Sequence, residues 1–451
     1  MTTLMGERAV VIGAGVAGLS AAAALTEFFD EVLVLERGDF DGWRAGTPQG
    51  WHTHVLLGGG QRALTTLLPG FEQALVDAGA VRIQAGLEFR TERPGFDPFP
   101  QRDLGWHTYG MSRQLLEGVI RDLLRRHPSI RIAPRRRVHD ILATTDGTSA
   151  RAVRFRGDDN SLSIATADLI IDASGHGALT RHFLERHGHA LPYETSVRAD
   201  IRYSTVIFRD LPNAPADWKS VTVFPDPNEL NMRGVMFPLE HGRWSVSLGA
   251  GPQVTLPAEL DTFMSCVRTL RTPTIDAALR GAEQVSEVAR YAFPVSTRRH
   301  FDHMKTFPRG LLPLGDSIVR LNPICAQGMS VAAMESVALQ RVLRSFASQQ
   351  RSLDELAPVF FSEIRQMVET PCLPATRTGA LDGSPDEWPA DFDMTPQFLA
   401  ALIRLAAREP AHHKLMVEIQ HLLKPRSAYR DRAFMQAIRD ELTAMSGSGA
   451  P

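Results

Sequence analysis

Residues 8–18 read RAVVIGAGVAG: a short run of strand formers, Arg8 to Ile12, passes straight into the glycine turn GAGVAG, and Leu19 to Phe28 continues in helix formers at helical spacing. A second apolar strand, Glu31 to Glu36 (EVLVLE), ends in a carboxylate 18 positions after Gly18 and closes a compact βαβ unit. Each part of this fingerprint has a physical task. Gly13 permits the tight turn, Gly15 lets backbone approach a pyrophosphate at the helix N-terminus, Gly18 allows close packing of helix on strand, and Glu36 can accept hydrogen bonds from an adenosine ribose. Strand, glycine turn, helix and acid in one register point to dinucleotide binding; the competing reading is an ordinary glycine-rich turn.

The surrounding chain fits an ordinary globular protein. It has 451 residues, enough for two or three domains at about 150 residues each, with 43% hydrophobic and 22% charged residues. A formal charge of -2 and a pI near 6.7 supply no field towards nucleic acid or an anionic bilayer. Cys266, Cys325 and Cys372 are scattered without a CxxC, so neither a zinc site nor a disulfide framework is expected, and a reducing cytoplasm is the expected setting. The long apolar run Ala9 to Leu25 is broken by glycines and too short for a transmembrane segment, and no basic stretch precedes it as in a signal peptide. No internal repeat is found.

A glycine fingerprint does not separate NAD from FAD; the discriminating segment lies near residue 316. Gly310 to Asp316 (GLLPLGD) reads as a strand ending in an acid, followed by Asn322-Pro323 and then by Gly328-Met329-Ser330, which opens a helix. Such an aspartate can hold a ribityl hydroxyl, while helix amides and dipole face the electron-rich pyrimidine edge of a flavin. A second βα turn with a capping aspartate is the alternative.

GAGVAG with Glu36, Asp172-Ala173-Ser174-Gly175, and LGDSIVRLNPICAQGMSVAAMES (314–336) together resemble the FAD-dependent monooxygenases of the para-hydroxybenzoate hydroxylase fold, over roughly residues 1 to 345. Pro48-Gln49, His52, His54 and GGGQRALTTLLPG (58–70) look closest to the bacterial flavoprotein olefin epoxidases of polyether biosynthesis. The resemblance implies an α/β fold: a Rossmann-type FAD-binding domain (1–75, 107–190, 291–350) interleaved with an antiparallel-sheet substrate domain (76–106, 191–290), then a helical C-terminal region (351–451). It implies that Glu36 binds adenosine ribose, that Arg37 is also a cofactor-binding residue, that Arg113 sits near the FAD phosphates or ribose, that Val138 meets adenine by its backbone, and that Asp316 binds the ribityl-pyrophosphate region. Pro323, Gly328 and Met329 would lie at the flavin ring. Arg113 has local support, because Ser112 is a plausible N-cap and Leu115, Leu116, Val119, Leu123 and Leu124 mark a helix behind it. The basic run Arg121 to Arg137 is most simply a solvated face.

The reaction so implied is insertion of one oxygen from dioxygen through a flavin 4a-hydroperoxide, epoxidising a lipophilic olefin or polyene in secondary metabolism, with no obligatory general base. An aromatic hydroxylase is one alternative; a geranylgeranyl-reductase-like flavoprotein, loosely suggested by FPLEHGRWSVSLGAG (237–251), is another. The WxWxIP signature of flavin-dependent halogenases is absent, and a non-catalytic FAD-binding protein is the non-enzyme reading. Ser174-Gly175 stands where many aromatic hydroxylases carry Asp-Gly, so electrons from NADH or NADPH arrive either directly or through a partner flavin reductase.

Val197–Arg209, Ser220–Phe224, Arg233–Pro238 and Arg243–Leu248 alternate apolar and polar residues, with turns at Pro225-Asp226 and His241-Gly242. Phe208, Phe224, Met232, Met236 and Phe237 are candidates for an apolar substrate lining, with simple core packing as the alternative. His52 and His54, two apart, would point to opposite faces of a strand, so no metal pair is expected. His54 and Cys325 are taken as cavity wall. Hydrolytic catalysis is excluded by the absence of GxSxG. Pro371 to Pro396 reads as a linker. Beyond it, stripes at Phe398, Leu399, Leu402 and Ile403, at Leu415, Met416, Ile419 and Leu422, and at Phe434, Ile438 and Leu442 predict helices packed on the body, with a dimer or membrane contact as the alternative. The terminal SGSGAP is expected to be disordered.

Overall fold

A computed structural model describes residues 4–40, 50, 52–213, 216–226, 232–369 and 395–447. Pro48, Gln49, Cys372, nearly all of the expected linker and the last four residues lie outside them.

The first strand, Gly6–Ile12, sits at the centre of a parallel five-stranded sheet ordered Leu311–Pro313, Leu169–Asp172, Gly6–Ile12, Phe29–Leu35, Ile130–Ala133. Its side chains are apolar on both faces because both are covered. Ala9, Val11, Val32, Val34 and Ile171 meet a helical layer that includes Val16–Leu25, Gly328–Gln349 and Leu356–Glu369. Val10, Ile12, Leu33, Leu35 and Ile170 meet the antiparallel sheet Arg137–Ala143, Ala150–Arg156, Leu162–Thr166 and the ring of Phe183. Pro313, which cannot donate to a ladder, lies in the edge strand.

A second sheet of eight strands runs Val319–Arg320, Ala289–Arg299, Glu194–Arg209, Arg243–Ala250, Met232–Pro238, Ser220–Val223, Phe89–Glu92, with Glu283–Gln284 added beside Glu194–Arg209. Its ladders are antiparallel except at the edge, where Phe89–Glu92 pairs parallel with Ser220–Val223. The hairpin turn expected at His241-Gly242 has both residues at positive φ, 59° and 67°, as a right-twisted two-residue turn requires. The boundary expected at residue 291 falls inside strand Ala289–Arg299, which belongs wholly to this second sheet.

One face of that sheet is sealed by helices Leu260–Arg268 and Thr274–Leu279, and strand alternation decides which residues point there. Phe208 and Met236 are buried in this helix-backed core with Val206, Val221, Val246 and Phe263, and Met232 packs against it. The expectation that these three line a substrate cavity is therefore corrected: Met236 and Phe237 are adjacent in one strand and cannot share a face.

The C-terminal stripes fold into helices Pro396–Arg408, Pro410–Gln420 and Arg432–Gly447 around a core of Phe398, Leu402, Leu405, Met416, Phe434 and Ile438. This cluster includes Phe99 of the body, and the Arg102 guanidinium donates to the carbonyls at the end of the first of these helices, Ala406 (2.9 Å) and Ala407. Gly58–Leu67 begins with three glycines because two other segments converge on them: a Cβ at Gly59 would lie 2.6 Å from the Leu422 carbonyl oxygen and one at Gly60 2.6 Å from Ser330 Cα.

A Cβ at Gly18 would sit 1.9 Å from the Gly13 carbonyl oxygen. Substitution Gly18→Ala is accordingly expected to cost on the order of 3 kcal/mol by forcing helix from strand; thermal unfolding measures it, and an unchanged melting temperature would refute the packing role.

Candidate active site

Two helices begin at one cavity. Val16–Leu25 starts after Gly15 and Gly328–Gln349 after Gln327, and neither first turn has a side-chain cap. Two other helices do carry one: Ser112 Oγ accepts from Leu115 N at 3.1 Å, and Thr395 Oγ1 from Phe398 N at 3.1 Å. Gly15, Val16, Ala17, Gln327, Gly328 and Met329 all line a cavity of ≈ 1160 Å³, more than the roughly 300–1,000 Å³ of a pocket for one drug-sized ligand. Open amides and aligned dipoles at both starts make two anion-binding ends.

Around the first end, Glu36 is buried at the close of its strand, with Oε2 accepting from Ala14 N and Oε1 from Gly38 N, both at 2.8 Å. Arg37 and Val138 line the same end. Arg113 opens its helix behind the Ser112 cap, whose own N and Oγ are fixed by Glu240 at 2.8 Å each. Its Nε is held by Glu117 at 2.8 Å, and an Arg113 nitrogen lies 3.5 Å from where a Gly15 Cβ would be. Asp172 organises the floor: Oδ1 takes Ser174 N and Oγ (3.1 and 2.6 Å), Oδ2 takes Thr180 N and Oγ1 (3.1 and 2.6 Å). This holds Ala173–Gly175 against the cavity.

At the second end, Asp316 Oδ1 lies 3.8 Å from the position of a Gly328 Cβ. Burial pushes the Asp316 carboxyl up, against the pull of Arg113, Arg320, His176 and Arg299. Behind it Glu335, fully buried, accepts from Gly315 N at 2.7 Å; burial, reinforced by Asp316, raises its pKa to about 8. Pro323 and Cys325 also line this region, and burial keeps the Cys325 thiol protonated. Gly18 is absent from the wall, consistent with a packing task.

The sheet supplies the opposite wall. Arg233, Val235 and Phe237 alternate towards the cavity, as do Ser220 and Thr222, and Phe224 follows them. The segment from His52 to Leu57 is not a strand. Both histidines consequently face the cavity, which corrects the expectation that only one could. His52 lies between the rings of Tyr203 and Tyr291, at 6.0 and 5.8 Å, with Nδ1 on Thr205 Oγ1 at 2.7 Å. His54 Nδ1 must donate to the His52 carbonyl (2.7 Å), which leaves its Nε2 an acceptor while the ring is neutral. Burial holds both neutral, His52 at about 4 and His54, with Arg113 adding to the effect, at about 3. Leu399, Leu402, Val417 and His421 of the C-terminal helices close the remaining side. Sequence reasoning quoted Asp172 in a motif without giving it a task and missed Arg93, Arg233, Arg320, Tyr203 and Tyr291; period-two alternation from Phe237 would have found Arg233.

The fold recurs in solved structures. A flavoprotein/dehydrogenase from Cytophaga hutchinsonii has TM-score 0.69 at 16% identity, with 98% of this chain and 100% of that chain covered. The myxobacterial chondrochloren halogenase, a variant of FAD-dependent halogenases, has TM-score 0.62 at 18% identity, covering 92% and 96%. A probable FAD-dependent monooxygenase from Pseudomonas aeruginosa has TM-score 0.60 at 14% identity, covering 82% and 96%. The chain shares its fold with these flavoproteins. At the sequence level, Protein Rv3254 of Mycobacterium tuberculosis is 28% identical over 358 residues, covering 75% of this chain and 73% of its own. No model of a known protein family matches the chain. Among the described residues no helix is long and apolar enough to cross a membrane.

Two opposed pH dependences follow from the buried groups. An unfolded histidine accepts a proton near 6.5 that native His52 and His54 refuse, so this stability is full above about pH 6.5 and falls as the pH drops towards 4. Native Glu335 keeps a proton that the unfolded chain releases near 4.5, so stability also falls as the pH rises from about 4.5 to 8. Glu335→Gln should raise the melting temperature at about pH 8 and change it little at about pH 5; equal effects at both would show that the carboxyl ionises normally.

Proposed function

We propose that this chain is an FAD-dependent monooxygenase that places one oxygen atom of dioxygen on a small lipophilic substrate. The observation that carries the reading is the pair of uncapped helix starts opening on one cavity, with the buried carboxylate of Glu36 at its far end. That spacing of donors and acceptors fits FAD. Glu36 and Arg37 would hold the adenosine ribose, Val138 the adenine, the Gly15–Ala17 backbone with Arg113 the pyrophosphate, and Asp316 the ribityl chain. The Gln327–Met329 amides would meet the flavin pyrimidine edge, with Pro323 along the ring. Bound FAD, once reduced by NADH or NADPH directly or through a flavin reductase, supplies the activation of dioxygen that no side chain can.

The chain's own residues position and desolvate. The helix start at Gly328 favours negative charge on the adjoining ring edge. Leu399, Leu402, Val417 and Phe237 exclude water, which protects a reactive oxygen donor from loss as peroxide. His54 Nε2, an acceptor at neutral pH, can take a hydrogen bond from a substrate hydroxyl or amine.

Aromatic hydroxylation is the favoured reaction. His52, Tyr203, Tyr291, Phe224 and Phe293 give the sheet wall aromatic faces, and the Pseudomonas aeruginosa neighbour is known in complex with 2-aminobenzoylacetate. Epoxidation of an olefin is the second reading, supported by the aliphatic wall of the C-terminal helices.

The purified protein should show bound oxidised flavin, and Glu36→Ala or Arg113→Ala should weaken FAD about tenfold or more. With a donor, substrate and heavy-oxygen-labelled dioxygen, one labelled atom should enter the product, with no halogenated product when bromide is supplied. Saturation of a double bond without label would mark a reductase instead, and failure to bind flavin would end the assignment.

A further inference from the structure

The sheet half of the cavity holds two cations with no counter-charge among the described residues. Arg93 follows strand Phe89–Glu92 and Arg233 lies in Met232–Pro238, and both line the cavity. Their guanidinium carbons stand over the same ring, Phe224, at 4.8 and 4.6 Å from its centroid. Nε of each is shielded from solvent and has no hydrogen-bond partner. Arg233 reaches only the Ile324 carbonyl, at 3.5 Å, and neither arginine has a carboxylate within ion-pair distance among the described residues. Burial, aggravated by the neighbouring Arg233 charge, lowers the Arg93 pKa to about 10.

Cation–π contact returns only about 0.5–2 kcal/mol per pair, whereas an uncompensated buried charge costs several. Neighbouring arginines show what compensation looks like here. Arg271 is clamped by Asp97, and Arg90 by Glu92 at 2.6 Å. The free pair sits on the sheet, on a different wall from the glycine turn and Arg113, so the pyrophosphate of a dinucleotide seated at Gly15 would not serve it.

We propose that the substrate carries a carboxylate head that binds between Arg93 and Arg233, with its lipophilic body lying along Val235, Phe237 and the Leu402–Val417 wall. The inference rests on the flavoenzyme reading and narrows its substrate class from any lipophile to lipophilic organic acids. A flat carboxylate offers one oxygen to each planar guanidinium edge while both guanidinium faces remain on Phe224. Without ligand the pair is an electrostatic liability held in place by the sheet; with it, one negative charge is shared between the two guanidinium groups and their combined charge falls by half.

The test is calorimetric titration of the FAD-loaded protein with dodecanoate and cinnamate against dodecanol and cinnamyl alcohol, with flavin content read separately by absorbance. At least one carboxylate should bind at least tenfold more tightly than its alcohol, and Arg233→Gln and Arg93→Gln should each remove most of that margin. Carboxylate, not alcohol, should raise the melting temperature of the wild-type protein. Arg233→Met should leave the ligand-free melting temperature unchanged or higher, because it removes an unpaired charge; a fall of several degrees would make Arg233 structural and overturn the proposal. Equal affinity for acid and alcohol, no Arg-dependent binding of either acid, or displacement of the acids by millimolar bromide would also overturn it. If the protein holds no flavin yet binds the carboxylates through these arginines, the anion site stands and the flavoenzyme reading falls; flavin bound without carboxylate discrimination gives the reverse.

Discussion

Helices Val16–Leu25 and Gly328–Gln349 touch through a hydrogen bond between the Ser20 and Ser336 hydroxyls, 2.9 Å apart and fully buried. Their first turns open on the same cavity, and neither start has a side-chain cap. Such a pairing is unfavourable unless an anion spans it, and the close packing of Gly18 on Gly13 and Gly60 on Ser330 leaves the helices no room to separate. The architecture thus stores a demand for an extended molecule that is electron-rich at two places. A pyrophosphate joined to a reducible heterocycle meets it, which is why the dinucleotide reading follows from packing and does not rest on motif alone.

Electrostatics divides the rest of the cavity. Positive charge gathers at Arg113, Arg320 and Arg299 around the buried Asp316, and again at Arg93 and Arg233 on the sheet. The imidazoles of His52 and His54 lie among these cations without adding to them, because burial keeps them neutral. A neutral imidazole there contributes a directed acceptor without repelling the charges beside it.

The nucleotide half was legible in the sequence because its determinants are local: strand, turn, helix and acid lie within residues 8–36, and Gly310 to Ser330 repeats the logic in 21 positions. The sheet was legible as strands, yet its faces were misassigned where Met236 and Phe237 were read together against the pleat. Phe208 failed for a related reason, since helices Leu260–Arg268 and Thr274–Leu279 were not anticipated as cover for its face. His52 and His54 misled because hydrogen bonds to Thr205 and to backbone, not strand geometry, set their directions. The arginine pair was invisible for a deeper reason: each arginine matters here because no acid among the described residues meets it, and absence of a partner is a property of the folded molecule alone.

The C-terminal helices acquire their meaning from the same tertiary logic. Their stripes predicted burial against something, and what they bury against is chiefly one another and Phe99. Leu402 belongs to that core and also to the cavity wall, so the wall's position is set by packing within the helical region. That region is fastened where His421 meets the Trp106 ring at 4.7 Å, accepts from Gly58 N through Nδ1 at 3.4 Å, and receives Gly59 N on its carbonyl at 2.8 Å. The next glycine, Gly60, lies against Ser330 in the first turn of helix Gly328–Gln349. One glycine triplet therefore sets the distance between the substrate wall and the helix start at Gly328. A side chain on Gly59 would push the Leu422 backbone outward, and one on Gly60 would push Ser330, so each would widen the gap between the C-terminal cavity wall and the helix start at Gly328.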